Sequence, residues 1–214
     1  MKYVQILKLI ERQVRKFRVP VVTEVAERRD PYLVLISCIL SLRTKDKTTT
    51  EAGKRLFRVA DIPKKMLRLS LGRVEKLIYP VGFYRNKAKV ILGVSSKILK
   101  EFSGRVPASI ESLLTLKGVG RKTANLVLGL GYGIPAICVD THVHRISNRL
   151  GWVKTKNPLQ TEEALEKIIP KNYWINLNTI LVTFGQNLCQ PVSPFCSRCK
   201  INKYCLKIGV GRSR

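Results

Sequence analysis

The stretch from Leu116 to His142, LKGVGRKTANLVLGLGYGIPAICVDTH, constrains the fold more than any other part of the chain. A short helical pattern running into Leu116 is broken by Gly118-Val119-Gly120, and a second helix starts directly at Arg121. Glycine suits so abrupt a corner, because a residue without Cβ reaches backbone angles and close approaches that others resist. Gly131, Gly133 and Pro135 end the second helix. Asp140 then stands where a short carboxylate caps a new helix opening with Thr141-His142. The segment therefore requires two helices meeting at a glycine turn and a third opening on an isolated acid.

The remainder of the chain reads as helix after helix. Residues 1–18 form an amphipathic pattern stopped by Pro20. Its apolar residues, interrupted by Lys8, Glu11, Arg12 and Arg15, make a core-facing stripe; an amphipathic targeting helix is the competing reading. The stripe lacks the continuous apolar region of a secretory signal, so a cytoplasmic protein is expected, nucleoid-associated in a prokaryote. Asp30-Pro31 opens a strongly apolar helix through Leu40, with an N-cap side chain and a proline in the first turn. Asp46 is expected to cap a helix over Thr48 to Phe57. A helical pattern ends at Leu99, and a short helix spans Ser109 to Leu116. Further helices follow Asp140, run from about Leu159 to Ile169, and cover Tyr173 to Leu188. No stretch alternates long enough to make a strand, so the fold class is all-α.

Charge narrows the partner. Forty Lys plus Arg stand against 14 Asp plus Glu, a formal net charge of +26, while 45% of residues are apolar. A globular chain with that surplus repels itself when compact, and a polyanion relieves the repulsion. Nucleic acid is the first candidate. An anionic membrane is the second, but no apolar run reaches the length of about 18 residues that spans a bilayer. A basic surface with no partner is the plain alternative. From Lys64 to Lys100 ten basic residues face one acid, Glu75. Within that stretch Val81-Gly82-Phe83 and the basic residues after it faintly echo the central turn.

Four of the six cysteines crowd the C-terminal region as Cys189-x6-Cys196-x2-Cys199-x5-Cys205. That distribution suits a metal better than a disulfide ladder. Zinc with four sulfurs usually shows two C-x2-C pairs, and only one is present. An iron–sulfur cluster also takes four thiolates, at spacings of its own, so the residues alone leave both open. Cys38 and Cys138 lie in apolar runs and read as small buried hydrophobes.

The central stretch carries the chemistry. Backbone N–H groups at the start of a helix, with its positive dipole end, grip an anion. Lys117, Arg121 and Lys122 around Gly118, Val119 and Gly120 favour a phosphate over a plain inter-helix turn. Lys122 is either a solvated base or an amine nucleophile, the latter if cations and substrate burial lower its pKa. Asp140 is either only the N-cap of its helix or a cap that, held in a fixed orientation, is also a reactive carboxylate; the two roles are compatible. His142 and His144 read as packing residues.

LKGVGRKTAN, then VDTH, then C-x6-C-x2-C-x5-C, in that order, resemble the endonuclease III family of helix-hairpin-helix DNA glycosylases over nearly the whole chain. The resemblance implies a two-lobed, all-helical protein. One lobe is a helical barrel carrying the hairpin over residues 21–133. The other combines residues 1–20 with 134–214 and holds a 4Fe-4S cluster on Cys189, Cys196, Cys199 and Cys205. Lys122 is then the nucleophile and Asp140 the catalytic carboxylate, facing each other across the cleft between the lobes. The implied activity is a bifunctional DNA glycosylase and abasic-site lyase. It flips an oxidised pyrimidine out of double-stranded DNA, forms a Schiff base and nicks the strand by β-elimination, acting as a monomer.

The same resemblance puts Phe83 where an apolar wedge enters the duplex. Arg43 stands where the family carries a glutamine that fills the gap left by the flipped base, a departure that bears on opposite-base choice. The Cys189–Cys196 loop departs too: it has no basic residue, and Arg198 and Lys200 are the substitutes at hand. Two other readings compete: a mismatch glycosylase with weak lyase activity, and a noncatalytic DNA-binding module.

Overall fold

A computed structural model describes residues 3–26 and 29–214. Among the described residues every regular element is helical. The α-helices are α1 (Tyr3–Val14), α2 (Val21–Ala26), α3 (Pro31–Ser41), α4 (Asp46–Val59), α5 (Pro63–Met66) and α6 (Leu71–Ile78). They continue as α7 (Tyr84–Glu101), α8 (Ile110–Leu114), α9 (Arg121–Leu126), α10 (Thr141–Arg149), α11 (Pro158–Ile168) and α12 (Trp174–Asn187). No helix among the described residues is long and apolar enough to cross a membrane. The chain forms two compact units, Val21–Ile134 and the N-terminal segment through Pro20 joined with Pro135–Arg214.

The Val21–Ile134 unit is organised around α3. Asp30 accepts hydrogen bonds from the N–H groups of Tyr32 and Leu33, with Pro31 in the first turn, as the Asp-Pro pair predicts. Tyr32 through Leu40 are all buried. A helix apolar on every side has to be surrounded, and α2, α4, α7 and α9 pack around it. After Leu126 the chain widens into a π-helical turn, Val127–Gly131. Gly131 lets that turn close onto the start of α3, since a Cβ there would lie 2.8 Å from Pro31 Cα.

In the second unit, Ile6, Leu7 and Ile10 of α1 share a core with Val143 and Ile146 of α10, Leu165 of α11, and Leu177, Leu181 and Phe184 of α12. Helices α10 and α12 meet at Gly185, where a Cβ would come within 2.4 Å of His142 Nδ1. Trp174 donates its ring N–H to Ile169 O (2.7 Å), fixing the corner between α11 and α12.

Several boundaries differ from expectation by a few residues, α7 running on to Glu101 and α4 to Val59 among them. The first helix ends at Val14 rather than near residue 18, and Met1 and Lys2 of that expected helix lie outside the described residues. Asp46 sits in the first turn of α4 rather than at its cap, which falls on Lys45. The Ser41–Thr44 turn, closed by Thr44 N–H donating to Ser41 O (3.1 Å), feeds the chain into helix one residue early. Asp46 still favours the positive helix end from there.

Candidate functional site

The glycine turn forms as the sequence predicts and each glycine does a different job. Val119 N–H donates to Leu116 O (3.0 Å), closing the corner. Gly118 has φ +81°, and a Cβ there would meet Val90 Cγ1 of α7 at 2.9 Å. Gly120, at φ −98°, precedes α9 with no capping side chain and has open space where a Cβ would point. Leu116 and Val119 are buried pegs, so what Val119 offers a ligand is its main chain. Lys117, Arg121 and Lys122 are exposed around the turn, while Thr123 to Gly129 are buried beneath it. A positive helix start ringed by cations, with no methyl in the way at Gly120, suits a phosphate.

Lys122 projects from the first turn of α9, close enough to α3 to act on Cys38. Burial pushes the Cys38 thiol up to about 12, and the Lys122 cation pulls it the other way. Cys38 is therefore a neutral buried thiol. Cys138 is buried likewise.

Arg43 and Phe83 lie at the tips of neighbouring loops, one between α3 and α4, the other between α6 and α7. Both take left-handed backbone angles, φ 51° and φ 58°. Phe83 is 65% exposed, and the Arg43 guanidinium lies 5.8 Å from its ring centroid, within cation–π range. Arg43, Phe83 and Gly118 line one hollow together with Asn86, Lys87 and Val90. Lys87, counted in the sequence only as one of ten bases, is buried there with its amine on backbone carbonyls. No sequence signal separates it from its solvated neighbours.

In the other unit, Ile137 to Val139 are buried and Asn178 Nδ2 donates to Cys138 O (3.1 Å), which holds the segment entering α10. Asp140 caps α10: its Oδ1 accepts from His142 N–H and Val143 N–H, both at 2.9 Å. Both bonds end on one oxygen, so capping fixes the carboxylate without engaging Oδ2. His144 is bonded to Thr161 Oγ1 (2.7 Å), and His142 Nδ1 to Arg145 Nη2 (3.1 Å), placing both histidines in packing.

Cys189, Cys196, Cys199 and Cys205 line a single cavity with Phe184 and Ile201. Successive tight turns bring them round: Cys199 N–H donates to Cys196 O, Asn202 N–H to Cys199 O, and Cys205 N–H to Asn202 O. Burial, and then the neighbouring thiols, push Cys199 up to about 11; burial raises Cys205 as well. Buried Arg149 donates to Gln190 O and Pro191 O (2.6 Å each) and points Nη1 at Cys189 Sγ (3.6 Å). Lys207 N–H donates to Cys205 Sγ (3.3 Å). Among the described residues no group of three or more His, Cys, Asp or Glu is set to hold a single metal ion. Arg214, unassigned from sequence, stacks 3.9 Å from the Phe195 centroid and donates to Ser193 O (2.9 Å), adding a cation to a loop that has none of its own.

Comparison with known proteins places this arrangement. Residues 36–171 match the HhH-GPD superfamily of base excision DNA repair proteins. Endonuclease III of Thermotoga maritima is 48% identical over 176 residues, covering 82% of this chain and 83% of that protein. The chloroplastic endonuclease III homolog 2 of Arabidopsis thaliana is 43% identical over 188 residues, 84% of this chain, and the chain spans 48% of its length. A solved structure of a trapped endonuclease III–DNA covalent intermediate superposes with a TM-score of 0.78 at 34% identity, covering 92% of this chain and 96% of that one. With the family profile spanning the hairpin and Asp140, the chain belongs to the HhH-GPD superfamily of base excision DNA repair proteins, in its endonuclease III family.

Proposed function

We propose that the protein is a bifunctional DNA glycosylase and abasic-site lyase that removes oxidised pyrimidines in base excision repair. The observation that carries the reading is that Lys122 is an exposed residue in the first turn of α9, directly after a glycine turn whose open helix start suits a phosphate. A target base is flipped from the stack, because its C1′ is unreachable within the duplex. Arg43 and Phe83 enter the duplex at the vacated position, Phe83 as an apolar wedge and Arg43 against the orphaned base. The hairpin turn holds the neighbouring phosphate.

The chemistry then runs through two side chains. Nζ of Lys122 forms a bond to C1′ as the glycosidic bond breaks and the base departs with the bonding pair, and Asp140 takes the proton that Nζ then sheds. Until it takes that proton the Asp140 carboxylate, oriented by its cap bonds, stabilises the positive charge that develops on the sugar. The proton held by Asp140 passes to O4′ as the C1′–O4′ bond breaks, which leaves an iminium on Nζ and returns the carboxylate. Removal of a C2′ proton then breaks the C3′–O bond and cuts the strand 3′ to the lesion, and water hydrolyses the iminium to restore Lys122.

Cys189, Cys196, Cys199 and Cys205 fit a 4Fe-4S cluster. Four thiols around one cavity give one ligand per iron, and the Arg149 and Lys207 donors aimed at sulfur suit thiolate charge. Bound there, a cluster would supply a structural cross-link between the turns of residues 189–205. The purified protein should contain iron and acid-labile sulfide; stoichiometric zinc in a colourless protein overturns this assignment.

Borohydride trapping tests the activity. A covalent adduct is expected on thymine-glycol DNA and on abasic DNA, and is lost in Lys122→Ala. Base release without an adduct points instead to a glycosylase of the mismatch type. Neither product from a folded, cluster-loaded protein leaves a noncatalytic DNA-binding module.

A further inference from the structure

Lys87 is a buried amine that the chemistry above does not use. It lies one turn into α7, where its own N–H donates to Phe83 O (3.0 Å). Its side chain turns back beneath the surface and is 6% exposed. The amine donates to Leu40 O (2.7 Å), to Leu42 O and to Thr44 Oγ1 (3.1 Å). An ammonium has three donors and no acceptor, and here three oxygens receive them with no carboxylate in the set. Two are carbonyls at the end of α3, where the helix dipole favours a cation. Burial lowers this amine to about 8, in keeping with a charge held by dipoles alone.

The same contacts join two loops. Thr44 Oγ1, which receives Lys87, also accepts the N–H of Gly82 (3.2 Å). Gly82 packs so closely on the other loop that a Cβ would stand 2.8 Å from Arg43 O. Lys87, Thr44 and Gly82 thus form one connected set between Arg43 and Phe83. Both of those residues hold left-handed angles that L residues resist, and such angles persist only where the surroundings over-determine them.

We propose that Lys87 is a positioning residue that locks the Arg43 and Phe83 loops into one rigid unit, so that tolerance for the base opposite the lesion depends on a buried amine. This rests on the reading of Arg43 and Phe83 as the residues that enter the duplex. Loose loops would still reach DNA, but a misplacement of about 1 Å at such a contact is enough to cost up to about a hundredfold.

The test uses the full, cluster-loaded chain with Lys87→Met, which keeps the bulk and removes the donors, and Thr44→Val, which breaks the shared hydroxyl. Each is measured on duplex thymine glycol opposite adenine and opposite guanine, with 2-aminopurine beside the lesion reporting wedge insertion. Trapping on single-stranded abasic DNA, which has no stack to enter, is the control. Lys87→Met should raise the duplex KM about tenfold and move the opposite-base ratio toward that of Arg43→Ala, while single-stranded trapping stays within about twofold. Thr44→Val should move the same readouts in the same direction by less. A folded Lys87→Met with wild-type KM, opposite-base ratio and 2-aminopurine signal overturns the proposal. Should Lys87→Met not fold, Thr44→Val decides by the same criterion. If Arg43→Ala and Phe83→Ala themselves leave the duplex readouts unchanged, the reading of the loops fails and this proposal with it. That outcome is recognisable because Lys87 is intact in both variants.

Discussion

Replacing each glycine of the hairpin turn by alanine separates the turn's conformation from its access to a ligand. At Gly118 the φ of +81° is left-handed, and an alanine held there costs about 1–2 kcal/mol. Its Cβ would also stand 2.9 Å from Val90 Cγ1, and a β-branched neighbour on a helix has little rotamer freedom to withdraw. That overpacking adds about 1 kcal/mol, at the low end for a crowded site. Alanine also stiffens the unfolded chain, which returns about 0.4–1 kcal/mol. Gly118→Ala should therefore destabilise by about 1–3 kcal/mol, at roughly 2–4 °C per kcal/mol in a chain of this size. At Gly120 the backbone is extended and the Cβ direction is open. There the unfolded-state gain is set against alanine's poorer N-capping, leaving a change within about 0.5 kcal/mol. The added methyl nonetheless stands at the mouth of the helix, where a phosphate would approach. Urea melts followed by circular dichroism measure the first effect, and fluorescence anisotropy on an abasic-analogue duplex measures the second. Gly120→Ala should bind DNA more weakly while melting like wild type. A wild-type melting point for Gly118→Ala, or an equal loss for both variants, would refute this division of labour.

Two further predictions follow from single side chains. Asp140→Asn keeps an oxygen for the His142 and Val143 N–H groups, so its stability should stay within a few tenths of a kcal/mol of wild type, roughly. Asp140→Ala should lose about 1 kcal/mol; both should lose glycosylase activity, and activity retained in Asp140→Asn would leave Asp140 only its cap. Lys87 releases its proton at about 8 in the folded chain, below the value of about 10.4 for an unfolded lysine. The unfolded state therefore binds more protons between those values, and the stability of wild type relative to Lys87→Met should rise with pH across that window. Urea melts of both proteins at either end of the window check the sign, and a relative loss would contradict it.

Much of this protein was legible in its residues. Asp30-Pro31 before an unbroken apolar run specified a capped helix with no polar face, and such a helix has to be enclosed. Gly118-Val119-Gly120 specified a corner and Asp140 a cap, because both depend on backbone geometry a few residues long. The cysteine spacing limited the C-terminal region to wrapping a shared centre for the same local reason.

Tertiary structure decided what local pattern has no means to encode. In sequence Gly118 and Gly120 are equivalent; the proximity of Val90, from a helix 28 positions earlier, makes one conformational and leaves the other open. Lys87 is one base among ten until the fold carries its amine to the end of α3, where burial replaces water by carbonyls. Arg149 is the cation in the last turn of α10, yet it is buried and braces the loop after Cys189. Periodicity, caps and turns are set by neighbours in the chain, so the sequence by itself determined the helices and the character of their ends. Which cation is solvated and which is buried depends on residues distant in the chain, and only the assembled core decides that.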